Sequence, residues 1–254
     1  MRLSLSDCRK PFVVFMAMFL FSVSPALAQV TFTDNEAQFL AQNPSLLFQD
    51  FENSKVDPVS GLTCPAPANS SSDNDCFSPG NILPGIEFLN GPIIDPVDGL
   101  FLVGEGFTNP GVPPGPALTA SILNEFEIVL DPGVNRVGLT LGCITKGPCD
   151  RDIQVVVFDT NAQTLGLTTV HVTSGFDTFL GLSSQRLIEN ISLRNIGNDV
   201  SDMGVLNVWF GNAERNIPTL SEWGMIAAAA GLMLVGVFFA VKRLRASKQS
   251  DAIG

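Results

Sequence analysis

Asp50 and Glu52 stand two positions apart in the run Leu46-Leu47-Phe48-Gln49-Asp50-Phe51-Glu52. In a strand, that spacing points both carboxylates to one face. Paired carboxylates can hydrolyse glycosides or hold calcium. Here the expectation is a solvated strand edge or a structural calcium, not catalysis. Asp73 and Asp75 repeat the spacing within a Ser- and Asn-rich stretch, which reads as a solvated loop. His171 is the single histidine of the chain and sits on the alternating segment Thr164 to Val172, as an ordinary strand residue would. No GxSxG, HExxH, P-loop or dinucleotide fingerprint occurs. The reading is therefore a protein without catalytic residues. It needs no cofactor, and structural calcium at Asp50 and Glu52 is the one candidate ion.

Cysteine supplies the other chemistry. Cys8 precedes an amino-terminal apolar run, which leaves Cys64, Cys76, Cys143 and Cys149. An even number in an exported chain argues for disulfides. Three connectivities exist, and proximity favours Cys64–Cys76 and Cys143–Cys149, each within one loop. The chain-entropy account assigns roughly 2–3 kcal/mol to loops this short. Zinc is the alternative, but the spacings are not CxxC and His171 is the only imidazole.

The elements that must carry these residues are mostly strands. A short helix is expected over about Asp34 to Gln42, with Thr33 and Glu36 as a capping box and Asn43-Pro44 as its end. Leu46 to Glu52 reads as a strand. Residues 53–120 are rich in Pro, Gly, Ser and Asn and read as loops with brief strands at Ile86 to Leu89 and Leu100 to Val103. Thr108 to Pro116 reads as an extended surface loop. Strands then follow at Ser121 to Leu130, Arg136 to Gly142, Asp152 to Asp159, Thr164 to Val172, Asp177 to Gly181, Leu187 to Arg194 and Gly204 to Phe210. Asp131-Pro132-Gly133 and Thr160 to Gln163 read as turns between them. Short strands at steady spacing indicate a sandwich or barrel.

Charge is unevenly placed. Gln29 to Arg215 holds 22 Asp and Glu against 7 Lys and Arg, a net −15. An acidic middle argues against nucleic acid and anionic lipid as its partners, since both require a basic footprint. Tyr is absent while Phe numbers 19, which argues against the Tyr- and Trp-lined faces of many lectins.

Both ends carry address information. Arg2, Arg9 and Lys10 precede the apolar run Phe12 to Val23, then Pro25 and Ala26-Leu27-Ala28. This is a secretory signal over residues 1–28, cut by signal peptidase after Ala28. Gly224 to Val241 is uncharged and apolar; about 18 residues at about 1.5 Å each span about 27 Å, near a bilayer core. Trp223 is placed as an interfacial ring, and Lys242, Arg243 and Arg245 form a cytoplasmic stop-transfer cluster.

Directly before this span stands Ile217-Pro218-Thr219-Leu220-Ser221-Glu222-Trp223-Gly224. Ile-Pro-Thr-Leu, Trp-Gly, an apolar helix and a basic tail, in that order, resemble the IPTL-CTERM sorting domain. The resemblance implies handling by an exosortase-type membrane enzyme that reads Ile217, Pro218, Thr219, Leu220, Trp223 and Gly224. Pro218 lacks an N–H and favours extended backbone before it, as a groove-binding segment needs.

The middle is similar to the jelly-roll ectodomains common among exosortase-sorted PEP-CTERM proteins. The early helix with Asp50-Phe51-Glu52, Val137 to Gly142, Val155 to Asp159, Phe179 to Ser184, Ile188 to Leu193 and Asn207 to Gly211 carry that similarity. Leu206 stands where such domains often place Asp. The expected architecture is mostly β: a jelly-roll-like β-sandwich ectodomain over residues 29–211, with one short N-terminal helix. A linker (212–216), a sorting and anchor segment (217–245) with a transmembrane helix at about 224–241, and a cytoplasmic tail (246–254) follow. The expected role is a non-catalytic exported envelope or matrix protein. It would be anchored in the inner membrane with the ectodomain outside the cytoplasm, or released to the outer surface after processing, with exopolysaccharide as a candidate partner. A carbohydrate-binding module is the alternative, and a hydrolase the third reading.

Overall fold

The computed structural model describes residues 30–91, 99–108, 112–120, 125–144, 149–196, 202–213 and 232–233. The chain divides into two units, Met1–Ala213 and Glu214–Gly254. The second contributes only Leu232 and Met233, which are helical. The expected signal peptide with its cut after Ala28, the expected sorting motif Ile217 to Gly224 and the expected stop-transfer cluster Lys242, Arg243 and Arg245 lie outside the described residues. Among the described residues no helix is long and apolar enough to cross a membrane.

The first unit is mostly β. Its strands are β1 (Thr31–Thr33), β2 (Leu47–Gln49), β3 (Gly61–Cys64), β4 (Ile86–Asn90), β5 (Leu100–Val103), β6 (Ala117–Ala120), β7 (Phe126–Ile144), β8 (Asp150–Asp159), β9 (Thr164–Thr173), β10 (Thr178–Asn195) and β11 (Asp202–Gly211). One short helix, α1 (Glu36–Gln42), precedes β2. All 11 strands join one antiparallel sheet, with β3-β5-β6-β11-β7-β10-β8-β9 as its main path.

Two long strands shape it. The first part of β7, Phe126 to Leu130, pairs with β4 and with the end of β10. The last part, Arg136 to Ile144, pairs with β11 and with the start of β10. The sheet is therefore sandwich-like, with β7 and β10 running through both halves. The expected turn at Asp131-Pro132-Gly133 is a bend inside one strand, and the two strands expected on either side are one. Asp177 to Gly181 and Leu187 to Arg194 likewise fuse into β10.

Side-chain alternation explains how one strand serves both halves. Phe126, Ile128 and Leu130 are buried on one side of the bend, and Val137, Leu139 and Leu141 on the other, all in the same cluster. The inward parity changes from even to odd. A period of two permits that only where the regular ladder is interrupted. The interruption lies on both strands, between the pairs Arg136–Ser183 and Val129–Asn190, with Val134–Ile188 irregular between them. Arg136 stitches the bend by donating to the carbonyls of Asn135 (2.7 Å) and Ser184 (3.1 Å). Burial lowers its pKa from the ordinary arginine value, and it remains a cation. Asn135 Oδ1 accepts from the Ala213 amide at 2.7 Å, fixing where the chain leaves the unit.

Helix α1 starts later than its capping box implies. Asn35 is the cap and accepts from Gln38 N at 2.9 Å. Thr33 instead ends β1, and its hydroxyl accepts from the Asn35 amide at 3.2 Å. Phe39 is the one buried residue of α1. It lies over Gly138 and Gly181, which are cross-strand partners. A Cβ on Gly181 would stand 2.7 Å from the Phe39 ring and 2.7 Å from the Thr33 methyl. The two glycines thus make the shelf on which the helix rests.

Both disulfides pair as proximity suggests. Cys64–Cys76 and Cys143–Cys149 have Cα separations of 5.7 Å and 6.2 Å.

Gly181→Val should lift α1 off the sheet. We expect a loss of about 1–3 kcal/mol, read as a lower urea midpoint at an unchanged slope. A midpoint equal to wild type would show that the shelf carries no packing load.

Candidate functional site

The outer face of the β4-β7-β10-β8 half carries two open cavities lined largely by polar side chains. Cross-strand registers set Glu87, Val129, Asn190 and Phe158 in one row, with Leu89, Glu127, Ser192 and Val156 in the next. Two adjoining open cavities of about 350 and 530 Å³ follow this face and share Val129. The first is bounded by the Asn69–Ser71 loop and Asp131, the second by Glu189, Arg194 and the Thr160–Ala162 turn. Together they make one groove across four strands.

Its walls are held in place. Asn69 donates to Glu87 (2.9 Å), while its own Oδ1 accepts from the Ser71 amide (3.0 Å) and hydroxyl (2.7 Å). Asn190 donates to Glu127 at 3.0 Å. Arg194 Nε pairs with Glu125 at 2.6 Å, and the Ser192 hydroxyl donates to the same carboxylate. At the far end Asp159, only 2% exposed, caps the β8–β9 hairpin. Its Oδ1 accepts from the amides of Asn161 (2.9 Å) and Gln163 (2.8 Å), and Arg186 ion-pairs with its other oxygen.

The sequence-predicted candidates fall elsewhere. Asp50 and Glu52 do not lie on a strand, because β2 ends at Gln49. Gln49 is buried and uses its amide on the Leu83 amide (2.7 Å) and the Asn81 carbonyl (3.3 Å). The chain then turns, Asp50 Oδ1 accepting from Glu52 N at 3.3 Å, so that Phe51 enters the core. The two carboxylates therefore stand in a turn, on either side of the buried Phe51, and not on a strand. Among the described residues no group of three or more His, Cys, Asp or Glu is arranged to hold a metal ion. Asp73 lies 4.0 Å from the Lys55 ammonium at the surface. The structural residue there is Asn74, whose Oδ1 accepts from the amides of Cys76 (2.8 Å) and Phe77 (3.0 Å).

His171 is not isolated. Its Nε2 lies 3.0 Å from Asp150 and its Nδ1 3.0 Å from Asp152. Asp152 is its cross-strand partner on β8. The three groups are exposed, so this is a surface cluster worth little in stability. The hairpin register, countable from the Thr160–Gln163 turn, was the signal that could have found it.

A second surface feature is apolar. Phe48 is 45% exposed and stacks on Trp209, with ring centroids 5.1 Å apart. Trp209 also meets Phe179 edge-on at 5.9 Å. This aromatic row lies on the β2-β11-β7-β10 half, apart from the groove residues.

Removing the Arg186 charge as Arg186→Met leaves Asp159 buried with backbone partners only. We expect a loss of about 1–3 kcal/mol in denaturant unfolding, which Asp159→Asn in the same chain should partly restore. An Arg186→Met variant as stable as wild type would remove the ion pair from the account of the turn.

No family model, curated protein or solved structure matches this chain.

Proposed function

We propose that the chain is a non-catalytic, exported envelope protein. In this reading a signal peptide is cut after Ala28, and a jelly-roll ectodomain is tethered by the Gly224 to Val241 helix. An exosortase-type enzyme recognises the Ile217 to Gly224 motif. Lys242, Arg243 and Arg245 hold the tail in the cytoplasm until processing moves the ectodomain outward to the surface or matrix.

The observation that carries export is the pairing of all four cysteines of the ectodomain, Cys64 with Cys76 and Cys143 with Cys149. Disulfides persist in oxidising compartments beyond the cytoplasm. Leu232 and Met233, the described residues of the expected span, are helical, as a tether helix would be. A non-catalytic role agrees with carboxylates engaged by amides and arginines, and with a histidine clamped at an open edge. A second reading, a carbohydrate-binding ectodomain, is favoured by the preformed groove over β4, β7, β10 and β8.

The sorting claim is tested in a cell that contains an exosortase. The wild-type chain should lose its C-terminal helix and fractionate outward. Pro218→Ala with Thr219→Ala should stay full-length in the inner membrane. A wild-type chain that keeps its whole tail there would leave a plain single-span anchor.

A further inference from the structure

We propose that the groove over β4, β7, β10 and β8 binds a polysaccharide segment whose sugars carry free amino groups. The proposal deepens the carbohydrate-binding reading above and rests on it.

The floor and walls differ in chemistry, as a sugar ring does. Val129 and Phe158 lie half-buried in the groove and present apolar surface. The C–H face of a sugar ring packs on such a floor, and its hydroxyl edge meets polar walls. Those walls hold amides and carboxylates: Asn69 and Glu87 on one side, Asn190 and Glu127 in the middle. The row from Glu87 to Phe158 crosses three strand spacings, about 14 Å at about 4.8 Å each. That length suits a chain of sugars rather than one ring.

Charge selects among chains. Glu87 and Glu127 are hydrogen-bonded by the neutral amides of Asn69 and Asn190, so their charges stand uncompensated. Asp131 and Glu189 line the same groove. Arg194, the cation among the lining residues, is held by Glu125. A uronate chain is repelled by this surface, a neutral chain gains nothing from it, and ammonium groups are attracted. The walls need little ordering on binding, because Asn69 is fixed by Ser71 and the Thr160–Ala162 turn by Asp159 and Arg186. Preorganised walls retain more of the contact energy as affinity.

The test uses the full-length protein in detergent micelles and three probes: oligomers of glucosamine, of glucose and of a uronic acid. Calorimetry should show the glucosamine oligomer binding about tenfold or more tightly than the glucose oligomer. Added salt should weaken it, and the uronic oligomer should not bind. Glu127→Gln and Glu189→Gln should each weaken binding about threefold to fivefold, the scale of one partly exposed charge contact, with unchanged melting temperature. Thr169→Ala, on β9 beyond the groove, should bind as wild type. Equal binding of the uronic oligomer, no binding of any probe, or unchanged affinity in Glu127→Gln would overturn the proposal. Loss of binding in Phe48→Ala would move the site to the aromatic row and overturn the groove. Cleavage of the bound oligomer would support the groove while overturning the non-catalytic reading.

Discussion

One strand pair must face a single core from both halves of the sheet. β7 and β10 do this by changing inward parity at a bend, and much of the rest of the unit follows from that change. With uniform alternation, either Phe126, Ile128 and Leu130 or Val137, Leu139 and Leu141 would point to solvent. Burying an aliphatic or Phe side chain is worth about 1.5–3 kcal/mol, so exposing three would exceed much of a typical domain's net stability. The irregular stretch from Val129 to Arg136 on β7, matched by Ser183 to Asn190 on β10, removes that conflict on both strands. Arg136, Asn135 and the Ser184 carbonyl then satisfy the backbone where the ladder is interrupted.

The bend also separates two outer faces with different chemistry. Beyond it, Gly138 and Gly181 leave room for Phe39, so α1 covers that half. Before it, residues of the opposite parity point outward, and these are Glu127, Val129, Asn190, Ser192 and Arg194. No helix covers that half among the described residues, and it keeps the polar groove. The same strands therefore build a partly covered aromatic face and an open polar one, decided by which side of the interruption a residue occupies.

The legible parts were those written in local sequence. The Asp150 to Thr173 hairpin follows from an apolar run, an Asn-containing turn and alternation. The cysteine pairs follow from proximity. Other parts depended on distant contacts. Asp131-Pro132-Gly133 has the composition of a turn, and only pairing with β10 reveals that the strand continues through it. β1, β3 and β6 are 3, 4 and 4 residues long, too short for a period to register. Asp50 and Glu52 read as strand residues because nothing local shows that Gln49 is buried and ends β2. The groove was invisible for a plainer reason. Its residues come from four strands and two loops, and no stretch of sequence holds more than a few of them.

In the proposed function this open face belongs to an exported, acidic domain that acts by binding. Hydrogen–deuterium exchange on the full-length protein, with and without the glucosamine oligomer, tests that link most directly. Exchange should slow at Asn69 to Ser72 and at Thr160 to Gln163, the loops that bound the groove at either end, and stay unchanged at Leu46 to Gln49. Slowing confined to Leu46 to Gln49 and β11, or none anywhere, would contradict the assignment of function to this face.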